Sequence, residues 1–390
     1  MSTTATPPTG PREPARAGGS TAAHARQVRP EATVEPPAAG SQTSETTLNE
    51  TAPTDDRVQN RSLVQLMLAM PAVGALIGAV VLATLFFAVA PAFRNVENIG
   101  TILYAAATIG IVAIFVALLM VGGEFDLSTG VVVTFAGLSA AHLSWNFGLN
   151  VWVGVLLSLV LCLAVGAFNG WLLQVTGLPS FLVTLGTFFV LQGVNLAVTR
   201  IVTGGVSSNT ISDMDGWNSA QAVFASSFTI GRVQIQIVVV YWILLTLLLS
   251  YLLFHTRVGN WILATGGDAA AARAVGVPVT ATKIGLFMGT GFGAWLVGMH
   301  LLFNFNNIQS GQGVGNEFIY IIAAVIGGCL LTGGYGSVVG ASIGALIYGM
   351  TNLGISYAGW DVDWLKTFLG VMLLGATLVN MYVKKKADAR

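Results

Sequence analysis

From Leu66 onward the chain alternates long apolar runs with short polar interruptions, and before Leu66 it has no such run. A helix needs about 20 mostly apolar residues to cross a bilayer. By that measure eight runs predict spans: Leu66–Ala90, Ile99–Val121, Val151–Leu173, Phe181–Thr199, Val233–Phe254, Ile284–Phe303, Val338–Ser356 and Trp364–Val383. Two further stretches are compromised. Leu127–Trp145 is interrupted by Gly130, Gly137 and His142, and Phe318–Leu331 is short and carries Gly327-Gly328. Segments of that kind either re-enter or lie inside a bundle, away from lipid. Counted as crossings they bring the total to ten. The pattern predicts an all-α, polytopic transmembrane helical bundle of about ten spans.

The opening segment is of another kind. Met1–Arg61 holds eight of the twelve prolines, is rich in Thr, Ala and Glu, and has almost no large apolar side chains. Such a segment cannot bury enough surface to offset its ordering entropy. The expected organisation is a disordered cytoplasmic tail over 1–62 followed by a transmembrane domain over 63–390. About sixty polar residues precede the first apolar run, so a cleaved secretory signal is not expected.

Composition supports the membrane reading. Hydrophobic residues make up 54% of the chain and charged residues 9%, against about 25% charged in a typical soluble protein. Seventeen basic and seventeen acidic groups cancel, which leaves no basic field for nucleic acid. Thirteen of those charges fall in Arg12–Arg61, so Ser62–Arg390 carries eleven basic and ten acidic groups. With ten crossings and a cytoplasmic N-terminus, the inner loops receive Arg57, Arg61, Arg257, Arg273, Lys283, Lys384-Lys385-Lys386 and Arg390. The outer loops receive Arg94, Arg200, Arg232 and Lys366, and nine against four obeys the positive-inside rule. Both termini are therefore expected in the cytoplasm.

Several chemistries have no candidate residues. The chain contains no G-x-x-x-x-G-K-[ST] phosphate cradle and no H-E-x-x-H. Its four histidines are scattered, and Cys162 and Cys329 stand alone in apolar runs. No catalytic residue and no metal site is expected, and transport is the function that remains. A mid-membrane charge costs about 2.5–3.5 kcal/mol and so marks ion-coupled carriers. The clear spans hold no Asp, Glu, Lys or Arg in their middles; Glu124, Asp126 and Glu317 lie at edges. This favours a carrier driven by another subunit over an ion-coupled secondary transporter of a small polar solute, which stays open as the alternative.

The loop 255–282 shows where such a subunit could act. Asp268 is a good N-cap, Ala269–Ala272 is a strong helix former, and Gly276 followed by Pro278 is a stop signal. The sequence predicts a two-turn helix capped at both ends, a peg for a partner's groove or an interfacial cap on the bundle. Gly340, Gly344 and Gly349 fall at near-helical spacing and predict a close helix–helix seam.

Four stretches stand out together: Gly122-Gly123-Glu124-Phe125-Asp126-Leu127-Ser128, Pro179 through Thr187, the peg Gly266–Val277, and Ala324–Gly340 with its Gly333-Gly334-Tyr335-Gly336-Ser337. Taken together they resemble the membrane permeases of ribose- and xylose-type sugar ABC importers. They occur in the family's order and cover most of Leu63–Lys386. The resemblance implies about ten helices in a non-catalytic permease subunit of a bacterial inner membrane. It implies two such permease subunits side by side as a homodimer, two cytoplasmic ATP-binding subunits that hold the ATP and Mg, and an extracytoplasmic sugar-binding protein. No cofactor is implied in this chain itself. Carried over residue by residue, it makes Gly266, Gly267, Asp268, Ala271, Ala272, Arg273 and Gly276 the helix that couples to the ATPase. The chain departs from the family pattern at Gln192-Gly193, where Arg-Gly is frequent, and at Thr129, where Val is commoner.

Physical roles for the motif residues follow from local chemistry. Asp126 and Ser128 are expected to cap the helix after them, Pro179 to occupy the first turn of the next, and the Gly327-Gly328 and Gly333–Gly336 glycines to permit a tight re-entry. If polar groups line the pathway, the available amides are Asn169, Gln192, Asn195, Asn304 and Asn307.

Overall fold

The computed structural model describes residues 71–388, with side chains over 72–379. The expected tail at 1–62, the start of the first span at Leu66 and the Lys384–Lys386 side chains lie outside the described residues. Thirteen α-helices are present among the described residues. They are α1 (Pro71–Val89), α2 (Asn98–Val121), α3 (Thr129–Phe147), α4 (Val151–Thr176), α5 (Ser180–Thr203), α6 (Trp217–Phe224), α7 (Ile237–His255), α8 (Arg257–Gly267), α9 (Ala269–Ala274), α10 (Val279–Phe305), α11 (Asn316–Ile326), α12 (Val338–Tyr357) and α13 (Trp364–Asp388). A two-stranded hairpin, β1 (Ser227–Ile230) and β2 (Val233–Gln236), precedes α7.

Each of the ten predicted segments is helical. Among the described residues seven helices are long and apolar enough to cross a membrane: α1, α2, α4, α5, α7, α10 and α12. The remaining three are α3, α11 and α13, of which α11 and the apolar part of α13 are shorter. The chain is thus a multi-pass membrane protein.

Packing sorts the helices into a centre and a rim. α2, α10 and α12 are the most buried spans, at 78%, 72% and 61%, whereas α1 is 17% buried and α5 22%. A helix that is apolar all round belongs in the interior of a bundle or in lipid, and α2 takes the interior place with α7, α10, α11 and α12 packed around it. With no hydrophobic drive between helices in lipid, close approach decides the contacts. Gly349 of α12 lies against the Ile102 carbonyl and Ala106 of α2, and Gly340 and Gly344 lie against Gly327 and Ala323. The predicted small-residue seam therefore joins α12 to both α2 and α11.

Two predicted boundaries are corrected. The sixth span begins at Ile237, not Val233, because Val233–Gln236 is strand β2 and pairs with β1 in the register Ser227↔Gln236 and Ile230↔Val233. The alternation Val-Gln-Ile-Gln behind Gly231 at φ 62° is a hairpin pattern that the hydropathy count absorbed into the span. Pro179 sits at the N-cap of α5, one residue before the first turn, and its carbonyl accepts the N–H groups of Leu182 and Val183 at 3.0 and 3.3 Å.

The crossing that contains α11 is half helix. Eleven residues rise only about 16 Å, too little to cross. The preceding 306–315 segment supplies the rest by descending along α3: Ile308 lies on Gly137, and Gly313, closely apposed to Gly130, donates its N–H to Thr134 Oγ1 at 2.8 Å. Its upper part is clipped to the chain after α5, with Ser208 N–H donating to the Ile308 carbonyl and Ser310 N–H to the Val206 carbonyl, both at 2.9 Å. Non-helical backbone is tolerated at membrane depth only when protein partners satisfy it in this way.

Candidate functional site

The predicted peg is present, and it is preceded by a further helix that hydropathy alone does not mark. Asp268 Oδ1 accepts the N–H groups of Ala270 and Ala271 at 2.8 and 3.0 Å, which caps α9. At the other end Gly276 N–H donates to the Arg273 carbonyl and Val277 N–H to the Ala272 carbonyl, with Gly276 at φ 87°. Ala272 is buried, while Ala271, Arg273, Ala274 and Val275 face outward; Val275 is 80% exposed. The result is a short rigid knob with a small apolar outer face and one cation. The missed helix is α8, whose N-cap Thr256 accepts the Gly259 N–H at 3.2 Å. Val258, Trp261, Ile262 and Thr265 recur at helical spacing, a signal that was available in the sequence.

Three of the four family-like motifs meet at the root of this knob. Gly334 N–H donates to the Val121 carbonyl at 2.8 Å. A Cβ on Gly333 would lie 2.7 Å from the Gly123 Cα and from the Gly266 carbonyl oxygen, and one on Gly334 would lie 3.0 Å from the Gly267 Cα. Gly266 in turn is flush against the Val121 carbonyl. Backbone from 121–123, 266–267 and 333–334 is therefore stacked without intervening side chains. Glu124 and Lys283 form an ion pair beside this junction, tying the turn after α2 to the first turns of α10.

The 122–128 turn is sewn into the bundle by a buried polar network. Asp126 Oδ1 accepts the Ser128 N–H at 2.8 Å and hydroxyl at 2.6 Å, and Asp126 Oδ2 accepts the Thr290 hydroxyl of α10 at 2.8 Å. Asn169 Nδ2 donates to Ser128 Oγ at 3.1 Å, and its Oδ1 accepts the Thr187 hydroxyl at 2.6 Å. Ser180 and Thr184 accept the N–H groups of Phe125 and Leu127, both at 3.0 Å. Ser180, Thr184 and Thr187 stand at i, i+4 and i+7, one face of a helix, which gives the second motif its physical reason. The expected capping role holds for Asp126 and needs correction for Ser128. Ser128 is at the N-cap of α3, but its hydroxyl turns back to Asp126 and caps nothing.

The five candidate pathway amides are not gathered in one place. Asn169 is fully buried in the network just described. Asn195 is buried on α5 and donates to the Val131 carbonyl at 3.2 Å, while its Oδ1 has no donor among the described residues. His142 Nε2 lies 3.1 Å from Thr199 Oγ1, whose own proton goes to the Asn195 carbonyl at 2.6 Å, so the ring nitrogen is the donor. His142 Nδ1 is then a second acceptor with no donor, and both side chains line a cavity of about 150 Å³ between α3, α4 and α5. Gln192 is half-buried on α5. Asn304, half-buried, donates to the Tyr104 hydroxyl at 3.4 Å, and Asn307 is exposed at the far end of α10. No group of three or more His, Cys, Asp or Glu side chains among the described residues could hold a metal ion.

Residues 98–377 match the family described as the branched-chain amino acid transport system / permease component. The chain is 32% identical over 310 residues to the ribose import permease protein of Escherichia coli strain K12, covering 78% of this chain and 92% of that one. It is 28% identical over 327 residues to the fructose import permease protein of Rhizobium meliloti, covering 83% and 86%. With the xylose transport system permease protein of Escherichia coli strain K12 it shares 28% identity over 362 residues, covering 80% and 92%. No solved structure matches the chain.

Proposed function

The chain belongs to the branched-chain amino acid transport system / permease component family, and from that premise we propose that it conducts a monosaccharide inward across a bacterial inner membrane. It is the non-catalytic transmembrane subunit of an ATP-binding-cassette importer. The sugar class rests on the relatives named for ribose, fructose and xylose. The single observation that carries the coupling part of the reading is the capped α9 knob, exposed at its tip and rooted in the glycine junction.

In this reading α9 and both termini face the cytoplasm, and Gly266, Gly267, Asp268, Ala271, Ala272, Arg273 and Gly276 form the element that docks on the ATP-binding partner. Two copies of the chain pair, and an extracytoplasmic protein delivers the sugar. ATP binding by the partners favours one arrangement of their α9-binding grooves, and that differential affinity shifts the bundle between outward-open and inward-open states. Movement of α9 reaches the 122–128 turn through the stacked glycines and the Glu124–Lys283 pair. The network around Asp126 then hands it to α4, α5 and α10. Of the five candidate amides, Asn195 is the one we assign to the pathway, because it and His142 border the cavity between α3, α4 and α5 and each carries a buried acceptor with no donor among the described residues, which a sugar hydroxyl would reach once these helices part. A buried acceptor left without a donor costs on the order of 1–3 kcal/mol, so passing hydroxyls would be favoured there.

The test is reconstitution of the chain with its ATP-binding subunit and binding protein in liposomes, followed by uptake of ribose, xylose and fructose. ATP-dependent uptake of at least one is expected. Uphill accumulation by the isolated chain under a sodium or proton gradient would establish the ion-coupled alternative instead.

A further inference from the structure

On the α9 side of the molecule a groove of about 320 Å³ opens between α2, α7, α8 and α10. Phe115 and Leu118 of α2, Leu252 of α7 and Trp261 of α8 wall it, and Gly285 and Gly289 of α10 form its floor. Thr282 contributes the one lining hydroxyl, and that hydroxyl is already donated to the Pro278 carbonyl at 2.9 Å. A polar solute would find almost nothing to bond with here. The floor is open: a Cβ at Gly285 would meet no atom within 4 Å.

Depth and charge identify the occupant. The groove runs from the last apolar turns of α7 to α8, whose apolar face is turned to the bundle with Ile262 buried and whose N-terminus carries exposed Arg257. An amphipathic helix of this kind lies at the boundary between headgroups and acyl chains. Trp261 on the wall is the residue type enriched at that level. Arg257 directly precedes the rim residue Val258 and has no carboxylate partner among the described residues. An arginine held near the membrane surface beside such a groove attracts anionic headgroups.

We propose that this groove binds one acyl chain of an anionic phospholipid from the leaflet on the α9 side, with Arg257 meeting the headgroup. The site adjoins the coupling element. α8 leads into α9 and Pro278–Gly289 leads out of it, so both segments that carry the knob are walls of the groove. A chain seated there fills the space between those walls and α2. This assignment rests on the chain's membrane-spanning fold and not on the identity of the transported solute.

Native mass spectrometry of the full-length chain in mild detergent tests it. The delipidated chain is titrated with phosphatidylglycerol and with phosphatidylcholine of the same acyl length. Wild type is expected to retain one lipid per chain and to favour phosphatidylglycerol about fivefold. Gly285→Leu, which fills the groove, is expected to lose retention of both lipids, and Arg257→Gln to lose the preference alone. If Gly285→Leu is poorly folded, Ala281→Phe, one turn earlier on the same groove wall, makes the same test. Retention by the filled-groove variants equal to wild type overturns the proposal. So does a groove occupied by a second copy, seen as a wild-type dimer that Gly285→Leu dissociates without change in lipid retention.

Discussion

Lys283 and Glu124 are 159 positions apart in sequence and form an ion pair with side chains only 15% and 10% exposed. The lysine lies just after the α9 knob, and the glutamate lies in the turn that the Asp126 network anchors. One pair therefore joins the element proposed to receive the ATPase stroke to the helices proposed to transmit it.

Breaking that pair should uncouple the two. Glu124→Gln and Lys283→Met are each expected to lower ATP-driven uptake about tenfold while the assembled complex still hydrolyses ATP. The charge swap Glu124→Lys with Lys283→Glu should recover part of the loss, because contacting residues show interaction energies of about 0.5–3 kcal/mol in double-mutant cycles. Uptake and hydrolysis measured on the same proteoliposomes decide the matter; a parallel fall in both argues for simple misfolding.

The glycine junction makes a sharper structural prediction. Gly266→Ala places a methyl on the Val121 carbonyl, and Gly334→Ala places one against the Gly267 backbone at a φ of 73°. Overpacking of this sort costs about 1–3 kcal/mol, and thermal midpoints in detergent should fall for both variants. Gly267→Ala should be tolerated, since a Cβ there meets nothing within 4 Å. Equal stability of Gly266→Ala and Gly267→Ala would contradict the stacking.

On the knob itself, Arg273→Glu is expected to abolish uptake with normal membrane abundance, because the Arg273 side chain is exposed. Gly276→Val should do so as well by distorting the end of α9, where φ is 87° and a β-branched residue is strained. Co-purification with the ATP-binding subunit is the readout, and intact complexes from both variants would remove α9 from the docking role.

Within the polar network, Asn169 should matter more than Thr187. Asn169→Leu breaks two buried hydrogen bonds, each worth about 0.5–1.5 kcal/mol, although the Ser128 and Thr187 hydroxyls keep Asp126 Oδ1 and the Val183 carbonyl as second partners. Thr187→Val removes one bond and leaves Asn169 attached to Ser128. The thermal midpoint is expected to fall further for Asn169→Leu, and the reverse order would mean the network is not held as described.

How much of this was written in the sequence depends on the range over which each signal acts. Spans such as Asn98–Val121 and Val279–Phe305 were legible because hydropathy is summed locally over some twenty residues. The α9 caps were legible for the same reason: Asp268 and Gly276 act within one turn. The hairpin at Ser227–Gln236 and helix α8 are hidden in hydropathy summed over some twenty residues, because a period of two and a short amphipathic helix beside a span both average into the neighbouring apolar run. The convergence of Gly123, Gly266 and Gly334 could not be read at all, because each glycine is locally an ordinary turn or helix-end residue. Only the fold brings their backbones into contact. The candidate amides show the same limit: residue type nominated five, and the fold put Asn169 and Asn195 into different surroundings from Asn304 and Asn307.

The half-helical crossing bears on how the chain is assembled. The 306–315 segment closes its own turns, with Gln312 N–H donating to the Gln309 carbonyl and Val314 N–H to the Gly311 carbonyl, but Ile308, Ser310 and Gly313 donate to Ser208, Val206 and Thr134, all of which are synthesised earlier. Away from those partners the amides of Ile308, Ser310 and Gly313 would be left unpaired, which is costly in lipid. The native position of this stretch then depends on α3 and the chain after α5 having been laid down before it, so that a later segment of the chain completes a surface built by earlier ones.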